Sequence, residues 1–356
     1  MLSSYGWTDE LQHDFAPYAD QGLIPARVAV QHRARYVLIG AAGEFSAEAS
    51  GRFLHNASAT DLPVVGDWVA VTPPQGDGVA VVQAVLPRRS QFVRRAAGTQ
   101  DKPQVVAANF DVVFLTTGLD ADFNLRRIER YLTAAWRTGA QPVVVLTKAD
   151  LVDDPSEQVA EVEKIAAGAP VHALSSLTGE GVEAVAGYLA PGRTAVLLGM
   201  SGVGKSTLVN ALAGEARQTV GEVRAADGRG RHTTTHRELI LLPGGGLILD
   251  TPGMRELGLW DPGEEAASQT FEDIEALALQ CRFRNCAHAG EPGCAVQAAI
   301  AAGDLTPERL ESYRKLERES AYFERKDDPM AAIAHRKLWA SRAKANRRRK
   351  RAEDED

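Results

Sequence analysis

The sequence predicts an α/β protein: a parallel sheet with covering helices, preceded by a small β-barrel and followed by a helical segment carrying a Cys/His cluster. Three observations point there. Up to about Gln100 apolar residues alternate in short runs, RVAVQHRARYVLIG, GDWVAVTPP and GVAVVQAVLP, with turn signals between them and no long helical period. From Asn109 to about Trp260 strand-like and helix-like stretches take turns: FDVVFLTTG, LRRIERYLTAAWRTG, PVVVLTKAD, then TAVLLGM running into GKSTLVNALAG. After Phe271 the pattern is helical, FEDIEALALQ and ERLESYRKLERESAYF, with three cysteines and a histidine between these stretches.

Composition narrows the class. A chain of 356 residues is long enough for two or three domains, and its 44% hydrophobic and 24% charged residues are those of a globular protein. No run approaches the roughly eighteen apolar residues of a membrane span. The start, MLSSYGWTDELQHDF, has acids where a secretory signal needs a basic start and an apolar core, which predicts a cytoplasmic location and no membrane partner. Three cysteines fit a reduced compartment better than a disulfide scaffold. The net charge of −7 argues against a uniformly basic nucleic-acid binder, but nine Lys or Arg and no acid lie between Arg336 and Arg351.

In the barrel stretch, PRRSQFVRRAAG sets Arg88, Arg89, Arg94 and Arg95 around Phe92. That suits phosphate contacts with one stacking ring, and it equally suits a solvated strand edge guarded by charge.

In the α/β stretch, GMSGVGKST (Gly199, Met200, Ser201, Gly202, Val203, Gly204, Lys205, Ser206, Thr207) fits GxxxxGKS between a β-run and a helix start. Its glycines let backbone N–H groups curl round a β-phosphate, Lys205 reaches the β and γ phosphates, and Ser206 ligates Mg2+. DTPG follows the run GLILD; Asp250 supplies a carboxylate to the Mg2+ shell and Gly253 an N–H facing a γ-phosphate. TKAD brings Thr147, Lys148 and Asp150 to the end of PVVVL, where the Asp150 carboxylate can accept from the two N–H donors on guanine's edge and Lys148 can lay its stem over the base. The SSL segment, Ser175, Ser176 and Leu177, ends another expected strand, where its backbone meets the guanine carbonyl. Together these motifs predict a GTP/GDP site and speak against an ATPase.

Their order is unusual. In a Ras-like GTPase the phosphate loop comes first and the base motif last, whereas here TKAD precedes GMSGVGKS. Because such a site is set by strand ends in space, a closed α/β unit can be cut and rejoined elsewhere without moving it. The order therefore predicts a circularly permuted Ras-like P-loop fold.

With its VVGDWV segment, TKAD, GMSGVGKS, RHTTT and DTPG, then a Cys/His knuckle and helices, the chain resembles the ribosome-small-subunit-dependent GTPases (RsgA, also called YjeQ) over nearly its whole length. The resemblance implies an N-terminal OB-fold that binds rRNA (1–104), a permuted GTPase (105–262) and a helical zinc-binding domain with a basic tail (263–356). It also implies a monomeric assembly factor in late maturation of the small ribosomal subunit, stimulated by that subunit. The alternative is a nucleotide-switched RNA-binding module whose hydrolysis is incidental. The first switch would be RHTTTH, in which Thr234, with Thr233 and Thr235 as competitors, ligates Mg2+. Met254 stands where Ras-like enzymes place a water-orienting Gln, so His232 is the candidate for that task, against a reading as an exposed loop histidine; His236 reads as structural.

Cys281, Cys286, His288 and Cys294 form C-x4-C-x-H-x5-C, four ligands suited to tetrahedral zinc with no open position, hence a structural pin. A redox or disulfide role is the lesser reading. The tail RAKANRRRKR is either a solvated charge run or a grip on phosphates.

Overall fold

The computed structural model describes residues 1–32, 35–74, 76, 78–95, 103–166, 168–214, 237–250 and 269–327. The chain divides into two compact units, Met1–Trp260 and Asp261–Asp356.

The first unit opens with helix α1 (Asp9–Ala19), capped by the Thr8 hydroxyl, which accepts from Leu11 N–H at 3.3 Å. Its Leu11 and Phe15 pack on Trp68, Ala70 and Leu86. Five strands then follow: β1 (Ile24–His32), β2 (Arg35–Gly40), β3 (Gly43–Ala49), β4 (Trp68–Thr72) and β5 (Ala80–Val85). They pair in the order β1-β2-β3-β5-β4, and β4 returns to β1, so the sheet closes into a barrel. All pairs are antiparallel except β3 with β5, and helix α2 (Gly51–Asn56) lies between β3 and β4. This closed five-strand arrangement is OB-like.

A hairpin, β6 (Gln91–Arg95) with β7 (Pro103–Ala108), leads into the second sheet. Its strands are β8 (Val112–Gly118), β9 (Gln141–Thr147), β10 (Val171–Ala173), β11 (Thr194–Leu198), β12 (Arg237–Leu241) and β13 (Leu247–Asp250). Spatially they run β10-β9-β8-β11-β13-β12, parallel except for β12. Every residue of β8 and β11 is buried, as a sheet covered on both faces requires. Helices α3 (Leu125–Trp136), α4 (Ser156–Glu163), α5 (Val182–Ala186) and α6 (Lys205–Ala213) alternate with these strands. The phosphate-loop strand β11 occupies the middle of the sheet although the chain enters at β8. A circular permutation accounts for that.

Barrel and α/β sheet are continuous. Strand β1 pairs with β12 through Val30↔Glu238 and Gln31↔Arg237, giving an eleven-stranded sheet. At this junction Arg27 is fully buried; its guanidinium donates to the carbonyls of Gly66 (3.2 Å), Asn109 (2.7 Å) and Tyr5. Burial pulls its pKa down to about 10 against the pull of Asp111, so it stays charged at neutral pH.

In the second unit, helices Glu272–Ala278, Ala295–Ala302 and Pro307–Asp327 bury Phe271, Ile274, Val296, Leu310 and Leu316. Arg309 is clamped on both carboxylate oxygens of Asp273 (2.7 and 2.8 Å) and lies 4.9 Å over the Phe271 ring. No helix among the described residues is long and apolar enough to cross a membrane.

Candidate functional site

The phosphate loop joins β11 to α6. At Gly199 a Cβ would lie 2.3 Å from the Thr116 carbonyl oxygen, so only glycine lets the loop leave β11 this close to β8. Gly202 (φ 80°) and Gly204 (φ 97°) are left-handed, turning successive N–H groups toward one side. Gly204 caps α6 without a side chain, which leaves the first-turn N–H groups of a nine-residue helix available to an anion. The Lys205 ammonium donates to the carbonyls of Gly199 (2.7 Å) and Met200 (2.6 Å), so it already lies along the loop. Ser206 and Thr207, half-buried, stand in the same helical turn.

The base motif reaches the same end of the sheet. Thr147 closes β9, is 1% exposed, and its hydroxyl is directed at the carbonyl oxygens of Val203 (2.5 Å) and Thr117 (3.2 Å). A single side chain thus ties this loop to the phosphate loop. Lys148 is left-handed (φ 61°), and its ammonium pairs with Asp120 Oδ2 at 2.5 Å. Asp150 sits in the short 3-10 turn Ala149–Leu151, where its Oδ1 accepts from the Ser175 hydroxyl at 2.5 Å. That hydroxyl in turn accepts from the N–H groups of Leu177 (3.3 Å) and Thr178 (3.2 Å). Ser176 Oγ is buried without a hydrogen-bond partner among the described residues, and Leu177 is 81% exposed. The carboxylate, the hydroxyl and the turn form one rigid group able to read a base edge.

Asp250 ends β13, the neighbour of β11, in register with Glu238. Gly253, Met254, the RHTTTH stretch with His232, Thr233, Thr234, Thr235 and His236, and the basic tail after Arg336 lie outside the described residues.

In the second unit Cys281, Cys286, His288 and Cys294 converge, with one ligand atom from each lying within 4.8 Å of every other. Zn–S bonds of about 2.3 Å and Zn–N bonds of about 2.0–2.1 Å at tetrahedral angles give S···S of about 3.8 Å and S···N of about 3.6 Å. Measured separations are 3.9 Å between the Cys281 and Cys294 sulfurs, and 3.6 and 3.4 Å from these to His288 Nδ1. The donor set therefore fits a tetrahedral zinc ion, and the cysteines form no disulfide.

Comparison with known proteins places these features in a family. The RsgA GTPase family model matches residues 85–260. The small ribosomal subunit biogenesis GTPase RsgA of Opitutus terrae is 52% identical, covering 99% of this chain and 98% of that protein. Its namesake in Streptomyces coelicolor is 47% identical over 96% of this chain and 92% of its own length. The chain belongs to the RsgA GTPase family. Among solved structures, YjeQ from Thermotoga maritima aligns with a TM-score of 0.61 at 29% identity, covering 84% of this chain and 98% of that one. YloQ, described as a circularly permuted GTPase, aligns at 0.58 and 24% identity over 84% of this chain and 95% of its own, and speaks for the fold.

For this RsgA GTPase the arginine-rich segment needs correcting. Phe92 is 3% exposed and stacks on Phe110 (5.0 Å between centroids, 16° apart), so it is a core residue and offers no face to a base. Arg88 is spent on Asp67, donating from Nε and Nη2 to its two oxygens at 2.8 Å each. Asp67, from VVGDWV, is wholly buried; a carboxylate there requires such a partner, and this explains where Arg88 goes. Arg94 lies on Gln104, and the Arg89 guanidinium is 3.9 Å from Asp111.

Three supporting residues escaped sequence reasoning. Asp120 holds Lys148. Glu291 accepts from the N–H groups of Ala287 (3.0 Å) and Ala289 (2.7 Å) in the knuckle, and Gln297 donates to the His288 carbonyl at 2.5 Å. Only Asp120 left a signal, as the acid just beyond the strand run FDVVFLTTG.

Proposed function

We propose that this GTPase acts in late maturation of the small ribosomal subunit in the cytoplasm. It works as a monomer that docks on the subunit with GTP bound and leaves after hydrolysis. The observation that carries the reading is the Thr147–Val203 hydrogen bond, which makes the base loop and the phosphate loop one nucleotide site in a chain whose relatives bear that name. Functionally we keep three parts: the OB-like barrel at 1–104 for rRNA, the GTPase at 105–262, and the zinc-pinned helical part at 263–356.

In this mechanism Asp150 and the Ser175–Leu177 turn select guanine, and Thr147 fixes that turn against the phosphate loop. The N–H groups of Gly199 to Thr207 surround the β-phosphate, and Lys205 shifts from its own loop carbonyls to the β and γ oxygens. Ser206 and Thr234 would hold Mg2+ with Asp250 nearby, and the ion would neutralise charge on the phosphate oxygens. On this reading Gly253 would offer its N–H to the γ-phosphate, and His232 would position the attacking water. Cys281, Cys286, His288 and Cys294 would hold zinc as a structural pin.

The test is the GTPase rate of the purified protein with and without small ribosomal subunits. A many-fold rise supports the reading. A rate indifferent to subunits leaves the nucleotide-switched RNA-binding module in its place.

A further inference from the structure

We infer that Asp120 is a positioning residue for the base end of the nucleotide site, acting through Lys148; the inference rests on reading TKAD as the guanine loop. Strands β8 and β9 pair in register up to Gly118↔Thr147, so the residues just past these ends emerge side by side. The turn after β8 is fixed at two points. Asp120 Oδ1 accepts from the Asp122 N–H at 3.0 Å, and the Asp120 carbonyl accepts from the Phe123 N–H at 2.9 Å. The carboxylate lies close against Gly118, where a Cβ would meet Asp120 Oδ1 at 2.9 Å and its Cγ at 3.2 Å and push the carboxylate out of place. The carboxylate is thus held with Oδ2 toward Lys148 Nζ, at 2.5 Å.

Lys148 is then restrained at both ends, by its left-handed backbone and by its ammonium. A free lysine stem samples many rotamers and loses that freedom on packing against a ring; a stem already stretched between two fixed points loses little. Burial alone would raise the Asp120 pKa, but the hydrogen bond from Lys148, the N–H of Asp122 and the charge of Lys148 together outweigh it and hold the carboxyl below its ordinary value. The Asp120 carboxylate is therefore ionised at neutral pH. On the guanine-loop reading the stem would face the base and not the γ-phosphate, so its contribution is the same for GDP and GTP.

The experiment measures GDP, GTP and ATP affinity by displacement of a fluorescent guanine nucleotide from the full-length protein, with kcat and KM for GTP. Asp120→Asn keeps the acceptor for Asp122 and removes the charge; Asp120→Ala removes both. We expect GDP and GTP to weaken equally, by about tenfold, with KM raised and kcat at saturation unchanged. In a Lys148→Ala background the Asp120→Asn change should add less than about twofold. Asp120→Asn binding within about twofold of the parent, or a full tenfold loss persisting without Lys148, overturns the inference. A parent protein that binds ATP as well as GTP would instead overturn the guanine-loop reading and the inference with it.

Discussion

Replacing Thr147 by Val tests whether the two nucleotide loops work as one. The substitution keeps shape and burial and removes only the hydroxyl that reaches the carbonyls of Val203 at 2.5 Å and Thr117 at 3.2 Å. Thr147 is 1% exposed, so water cannot replace the lost donor, and a buried acceptor left unmet costs about 1–3 kcal/mol. In the free protein that cost falls on the relative placement of the loops. When nucleotide bridges base and phosphate sites it restores the placement itself, and the difference appears as lost preorganisation. About 1.4 kcal/mol of it corresponds to tenfold weaker GDP binding. Titration with a fluorescent GDP analogue gives the affinity, and thermal melting of the free protein reads the stability share, roughly 2–4 °C per kcal/mol for a unit of this size. A Thr147→Val protein that binds GDP as the parent does would refute the coupling.

Four further outcomes are expected. Asp150→Asn turns an acceptor into a donor and should move preference from GTP toward xanthosine triphosphate, read by competitive binding. The purified protein should carry about one zinc by metal analysis, and Cys286→Ser or His288→Ala should open the C-terminal unit to proteolysis while sparing nucleotide binding. His232→Ala should abolish most of the stimulation by small subunits, itself expected within the roughly 10^3 to 10^5 range of assisted GTPases, while leaving GTP-dependent docking intact in co-sedimentation. Arg88→Ala strands the buried Asp67 carboxylate and should destabilise the protein by about 3–5 kcal/mol in denaturant melts. Burial already raises the Asp67 pKa against the pull of Arg88, and without Arg88 it rises further. The folded state then gains protons more readily than the unfolded one, so the deficit should shrink as pH falls and grow as pH rises through the raised value; a pH-independent deficit would rule out the charge as its cause.

The permuted architecture of the α/β sheet was legible because short motifs mark strand ends: TKAD closes β9, GMSGVGKS leaves β11 and Asp250 ends β13. A permutation changes the chain order of such markers and not their places in the sheet. The barrel's alternation was legible in part: Tyr36 and Leu38 in β2 and Ala80 and Val82 in β5 return to the inside at period two, whereas β4 is buried on both faces from Trp68 to Val71. Arg88 and Phe92 misled because composition around a strand does not say which face each residue takes, and a bulge between Phe92 and Val93 breaks the alternation that would have told. Asp120 and Thr147 act on residues 28 and 56 positions away, Lys148 and Val203. Contacts of that span exist only once strands are paired, so the sequence marked both residues as lying at strand ends without telling which partner each would meet.

The hydrogen bonds between β1 and β12, with Arg27 buried beside them, make the barrel and the nucleotide-binding sheet a single cooperative body. A swing of the barrel against the sheet would break the backbone pairing of β1 with β12 and strain the bond from Arg27 to the Asn109 carbonyl. A barrel cut away from the sheet loses the neighbour of its first strand, and a sheet without the barrel gains a bare edge at β12 ready to pair with another chain. Whatever surface the barrel grips, it sets the azimuth of the phosphate loop like the mount of an instrument: the distance and angle from anchoring point to reacting phosphate are built in before any nucleotide arrives.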